Sequence, residues 1–134
     1  MRKIFSFIAV LLAITFISSC EKDEGKLPNI AFKTGGTYVS SDVTLKKDTT
    51  VTIGITASKA EDKDVLKTFD GSRSYDGAAA ASFVSETLSG SQGDNYSKDV
   101  QVTTRNQTGT EKYTFTVVNR DGLKNTVSLT ITVN

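Results

Sequence analysis

The 134-residue chain contains no histidine and no tryptophan, and it has one cysteine (Cys20) and one proline (Pro28). Each gap excludes something. Without histidine there is no histidine-based triad, and no imidazole is available for a zinc site. A single cysteine closes no intrachain disulfide, so the fold must be held by its core. Neither sign of charge dominates, since 16 basic residues face 15 acidic ones. No basic field remains to attract nucleic acid.

The lone thiol is placed in an informative context. Arg2 and Lys3 precede "IFSFIAVLLAITFI", residues 4 to 17, and Ser18-Ser19 then lead into Cys20. Two positive charges before a short apolar run are the first two regions of a secretory signal peptide. The run is short for a spanning helix, which wants about 20 apolar residues. "ISSC" resembles a bacterial lipobox, with Ile17 and Ser19 departing from its commonest residues. That resemblance implies cleavage after residue 19, acylation of Cys20 and a membrane anchor. Two or more acyl chains hold stably where one does not. Lys22-Asp23-Glu24 resembles the export signal of surface lipoproteins of the Bacteroidota type. It implies the outer membrane and a surface-exposed domain. The same residues also suit a plain solvated linker, which leaves a periplasm-facing placement open. The expected organisation is a signal peptide over 1–19, an acylated cysteine with a charged tether over 20–28, and one folded domain over 29–134.

From residue 29 onward the hydrophobic signal has period two. "TTVTIGITAS" sets Val51, Ile53, Ile55 and Ala57 against Thr50, Thr52, Gly54 and Thr56. "EKYTFTVVN" aligns Tyr113, Phe115 and Val117. "TVSLTITV" aligns Val127, Leu129, Ile131 and Val133. Alternation of this kind predicts antiparallel strands with one wet face. Weaker strands are expected at 29–33, 42–45, 65–75, 82–88 and 96–105, with 42–45 continuing the first strand on the other sheet. Along 65–75, Val65, Phe69 and Tyr75 are expected on one parity. Along 82–88, Val84 and Leu88 are expected opposite Phe83. Residues 78–81 read as a loop entering a strand. Asp76-Gly77, Ser89-Gly90 and Asp121-Gly122 supply the turns. The expected fold class is all-β, an antiparallel sandwich of about seven strands.

"GTEKYTFTVVNRDGLKNTVSLTITV" resembles the last hairpin of bacterial Ig-like, PKD-like and cadherin-like domains. The resemblance implies an Ig-like sandwich, with Tyr113 at the position of a tyrosine corner. The missing tryptophan and cysteine pair separate it from antibody domains.

Candidate sites are few. In an Ig-like strand order, Glu61, Asp62, Asp64, Asp94 and Asp121 gather at one end, where oxygen ligands could hold Ca²⁺. No loop has an EF-hand spacing, and that end is also where the tether arrives. Tyr38, Tyr75 and Tyr96 are the candidate glycan contacts, because a sugar platform needs exposed rings. Asp48-Thr49-Thr50 resembles an O-glycosylation acceptor, which implies modification at Thr49. A small sandwich has little room for a catalytic cleft, so the expectation is no enzyme and no cofactor. The expected function is a lipid-anchored, non-enzymatic, cell-surface Ig-like module for adhesion, assembly or accessory binding. The alternative is a carrier of glycan or Ca²⁺. Expected partners are the membrane and a protein or polysaccharide. If Cys20 carries the anchor, Cys20→Ala moves the protein from the membrane to the soluble fraction. Persistence of that variant in the membrane pellet refutes lipid anchoring there.

Overall fold

The computed structural model describes residues 25–134. The expected signal peptide, Cys20 and Lys22-Asp23-Glu24 lie outside the described residues. Eight strands follow in order: β1 Asn29–Phe32, β2 Val43–Leu45, β3 Thr50–Ser58, β4 Leu66–Tyr75, β5 Ala81–Thr87, β6 Asn95–Thr103, β7 Gly109–Asn119 and β8 Lys124–Val133. They form two sheets, ordered β1-β3-β6 and β2-β8-β7-β4-β5. The named strands all pair antiparallel except β2 with β8, where Val43 lies beside Ile131. The chain therefore crosses from one sheet to the other between β1 and β2, as the split first strand predicted.

Alternation decides which side of each strand is dry. Ile53, Ile55 and Ala57 of β3 and Val100 and Val102 of β6 are buried from one sheet. Phe69, Tyr113, Phe115, Val117, Leu129, Ile131 and Val133 meet them from the other. Phe115 is the hub. Its ring lies 6.0 Å from Phe69, 6.3 Å from Phe32 and 6.1 Å from Phe83, centroid to centroid.

Two bulges change the expected parities. Between β4 and β7 the register passes from Leu66–Asn119 to Thr68–Val118, leaving Lys67 extra. This moves Leu66 rather than Val65 onto the face of Phe69, and Leu66 is buried. Between β4 and β5 the register passes from Gly71–Val84 to Ser72–Ser82, leaving Phe83 extra. Phe83 and Val84 therefore both pack against the core, although they are adjacent in sequence. The β4–β5 turn places Asp76 and Gly77 at φ of 52° and 77°. Two successive left-handed residues suit a tight hairpin turn, where glycine carries no penalty.

Residues 25–28 dock before β1 begins. Pro28 is buried. Asn119 Nδ2 donates to the Lys26 carbonyl at 3.5 Å, and Asn125 Nδ2 donates to the Pro28 carbonyl at 3.0 Å. At Gly71 a Cβ would stand 2.5 Å from Val84 Cγ1 and 3.0 Å from Phe115 Cε1. Gly71→Ala should therefore cost about 1–3 kcal/mol by overpacking. Val84→Ala in the same chain should recover part of the lost melting temperature. An unchanged melting temperature in the single variant contradicts this close packing.

Candidate functional site

The five acidic candidates do converge on one end of the sandwich, at the β3–β4 loop, the start of β6 and the β7–β8 turn. Three of their side chains serve local structure there. Asp64 is 3% exposed, accepts from Asn119 Nδ2 at 2.6 Å and accepts from the Val65 amide at 2.8 Å. Asp94 pairs with Lys59 at 2.8 Å. Asp121 lies 4.0 Å from Arg120. Glu61 and Asp62 contribute backbone carbonyls, to the Asp64 amide and to Lys59 Nζ. Among the described residues no three His, Cys, Asp or Glu side chains are grouped to hold a metal. The expected Ca²⁺ site is therefore corrected. Lys59 takes Asp94 and Asn119 takes Asp64, so those two carboxylates are already engaged.

The tyrosines are not flat exposed platforms. Tyr96 is 6% exposed, and its hydroxyl donates to Glu86. Tyr38 lies across Gly54 and donates to Asp99 Oδ2 at 3.0 Å, with Lys33 Nζ 5.6 Å from its ring centroid. The Tyr75 ring is covered by Arg105, 4.2 Å from its centroid, with Arg73 at 5.5 Å. Thr49 follows Asp48, whose φ is 56°. The Thr49 backbone is held by Thr104, through the Thr104 hydroxyl at 2.9 Å and the Thr104 amide at 2.9 Å. Tyr113 does not form the backbone bond of a tyrosine corner. Its hydroxyl donates to Glu111 Oε2 at 3.0 Å, and burial, followed by that carboxylate, raises its pKa.

Glu111 belongs to a network that the sequence reading missed. It has no solvent exposure and takes the Arg105 amide at 2.9 Å and Arg105 Nε at 3.1 Å. Arg105 Nη2 reaches Asp76 Oδ2 at 3.0 Å, and Asp76 Oδ1 accepts from the Thr110 amide at 2.8 Å. The network locks the β4–β5 turn to the β6–β7 loop, at the end opposite the tether. Its signal was present in the sequence. Glu111 shares the parity of Tyr113 and Phe115, and a carboxylate on a core face needs a cationic partner. A second polar cluster, Tyr96, Lys98 and Glu86, closes the seam between the sheet edges β5 and β6.

A groove of about 570 Å³ lies along the three-stranded sheet, toward the end at which residue 25 enters. Its rows follow from the register. Asn29, Ser58 and Asn95 lie side by side, and two residues further along lie Ala31, Thr56 and Ser97. The row between them, Ile30, Ala57 and Tyr96, turns inward and contributes the floor, and Asn125 of β8 completes the lining. The Lys59–Asp94 pair bounds one end. The Lys33–Asp99 pair, 2.6 Å apart, bounds the other. Between these pairs no charged side chain lines the groove. The side chains of Thr56, Asn95 and Ser97 make no hydrogen bond to another described residue, leaving amide and hydroxyl groups free in the groove.

No family model matches the chain, and no curated protein sequence matches it. Solved structures do. A superoxide reductase (neelaredoxin) from Ignicoccus hospitalis superposes with a TM-score of 0.51 at 9% identity, over 81% of each chain. A point variant of that reductase superposes with a TM-score of 0.54 at 9% identity, over 87% of this chain and 86% of that one. At this identity the likeness carries the fold alone. It is enough to overturn the expectation of a non-enzymatic adhesion, assembly or accessory module, or of a glycan or Ca²⁺ carrier, read from architecture. The same sandwich serves as the scaffold of an enzyme, so the expectation of no enzyme falls with it. The expectation of no cofactor, or of Ca²⁺, is corrected by the same finding. The neighbours are named for superoxide reduction, a one-electron chemistry that proteins run on cofactors rather than on side chains.

The donor set of this chain does not fit a redox metal, which proteins hold with imidazole, thiolate and clustered carboxylate ligands. Histidine is absent from the sequence, Cys20 lies outside the described residues, and the described carboxylates are not grouped. What the ion pairs do govern is stability toward acid. Bonding from the Thr110 amide and then from Arg105 lowers the Asp76 pKa, and Lys98 and then Tyr96 lower that of Glu86. A depressed folded pKa contributes stability above the unfolded carboxyl value, about 4, and the contribution disappears as pH falls through the folded values. The melting temperature should therefore stay level through neutral pH and drop below about pH 4. The double variant Asp76→Asn, Glu86→Gln should show a shallower acid limb, and a limb as steep as the parent's contradicts the assignment.

Proposed function

We propose that the protein is an outer-membrane lipoprotein, acylated at Cys20 and carrying one Ig-like sandwich, whose groove beside the tether holds a neutral amide ligand such as a peptide backbone. The observation that carries the ligand reading is the charge-free lining between two ion pairs. A charged ligand would lose water there without gaining a counter-charge, whereas free amides and hydroxyls match neutral donors and acceptors. The strand order, with β1, β3 and β6 in one sheet and the chain crossing over at β2, supports the Ig-like class. Superoxide reduction is not carried over from the structural neighbours, because the donor set does not fit it. The Lys22-Asp23-Glu24 tag favours the outer leaflet, with the domain facing the medium.

Two measurements test this reading. Protease added to intact cells should remove the domain. Its survival until lysis turns the domain toward the periplasm. In nuclear magnetic resonance titrations of residues 25–134, the neutral amide N-acetylalanine methylamide should shift Thr56, Ser58, Asn95 and Ser97. Acetate and methylammonium should leave those resonances in place. No response to the neutral probe at 100-millimolar scale, or equal responses to all three, rejects a neutral-ligand groove.

A further inference from the structure

Leu27 is the exposed large hydrophobic residue among the described residues, at 53% exposure. Its neighbours do not let it retract. The Lys26 carbonyl is held by Asn119 and the Pro28 carbonyl by Asn125, and Pro28 itself is buried. Gly25 also lies close against the fold: a Cβ built on it would stand 3.2 Å from Leu123 Cδ1. Both ends of the tether's final stretch are thus fixed to the β7–β8 end, while Leu27 is held out into solvent. This is the end at which the chain preceding residue 25 arrives, and that chain carries the apolar run and Cys20.

We infer that this end of the sandwich rests against the lipid surface, with Leu27 inserted at its apolar boundary. The inference depends on anchoring at Cys20 and adds an orientation to it. With residues 25–28 docked, the length of chain from Cys20 to Gly25 spans at most about 18 Å. The contact is apolar rather than electrostatic. Lys26, Lys59, Lys63, Arg120 and Lys124 at this end are matched by Glu61, Asp62, Asp64, Asp94 and Asp121. Neutral phospholipid therefore suffices, and added salt should leave the contact in place. In this orientation the groove opens sideways, close to the bilayer, with its Asn29–Ser58–Asn95 row nearer the lipid than its Ala31–Thr56–Ser97 row.

The absence of tryptophan makes the test direct. The full lipidated chain carrying Leu27→Trp is incorporated into vesicles of neutral phosphatidylcholine, with and without brominated acyl chains. A chain carrying Asn106→Trp, in the β6–β7 loop at the opposite end, serves as the reference. The expected result is flotation of both chains with the vesicles. Emission should shift to the blue by about 10 nm or more, with severalfold quenching by brominated lipid, for Leu27→Trp alone and equally at low and high salt. Flotation with the Leu27→Trp emission of a soluble 25–134 domain overturns the inference while leaving anchoring intact. Equal quenching of both tryptophans overturns the end-on orientation. Failure to float removes the anchor and the inference together.

Discussion

Apolar contact between the two sheet faces is what this structure depends on. No disulfide among the described residues braces the sandwich, so the sheets stay together chiefly through the surface they hide from water. Phe115 concentrates that contact, touching Phe32 from the opposite sheet and Phe69 and Phe83 from its own. Other features follow from giving these rings room. Gly71 has no side chain because Val84 and the Phe115 ring occupy that space. The bulge at Phe83 puts two adjacent residues on the core side of an edge strand. Removing a ring such as Phe115 from a core costs about 3–5 kcal/mol, comparable to the whole margin of a small domain.

The apolar centre also sorts the polar groups. Every buried or half-buried ionic cluster lies at the boundary of the sandwich, where some water or backbone is within reach. Glu111 and Arg105 close one end, Asp64 and Asn119 the other, and Glu86 with Lys98 and Tyr96 the seam. Each joins segments that the sheets alone leave apart. Inward charges at the seam also guard the edge strands β5 and β6 against pairing with another chain. The groove lies outside this system, on a face where the register stacks small uncharged residues between two surface ion pairs.

That separation bears on function. The likeness to superoxide reductases shows a scaffold on which an enzyme has been built, while this chain has no imidazole and, among the described residues, no grouped acids from which a redox-metal site is assembled. Fold and chemistry part company because the sandwich is specified by alternation and burial, and a site is specified by a few donors at set distances. What this chain does show is the neutral groove and the docked residues 25–28, both near the end at which the preceding residues arrive.

The strands themselves were legible in sequence. Val51-Thr52-Ile53 and Leu129-Thr130-Ile131 alternate strictly, and period two has one physical meaning in a half-buried sheet. The gathering of Glu61, Asp64, Asp94 and Asp121 at one end also followed from strand order alone. What sequence could not supply was phase and partnership. A single extra residue at Lys67 or Phe83 reverses which neighbours are buried, and nothing local announces it. Glu111 and Arg105 are six residues apart, yet their bond depends on where the β6–β7 loop turns back. The groove joins Asn29, Ser58 and Asn95, which are adjacent only through register. Side-chain periodicity is a property of one strand. Pairing, bulges and ionic partners are properties of two or more, and only the tertiary structure brings those together.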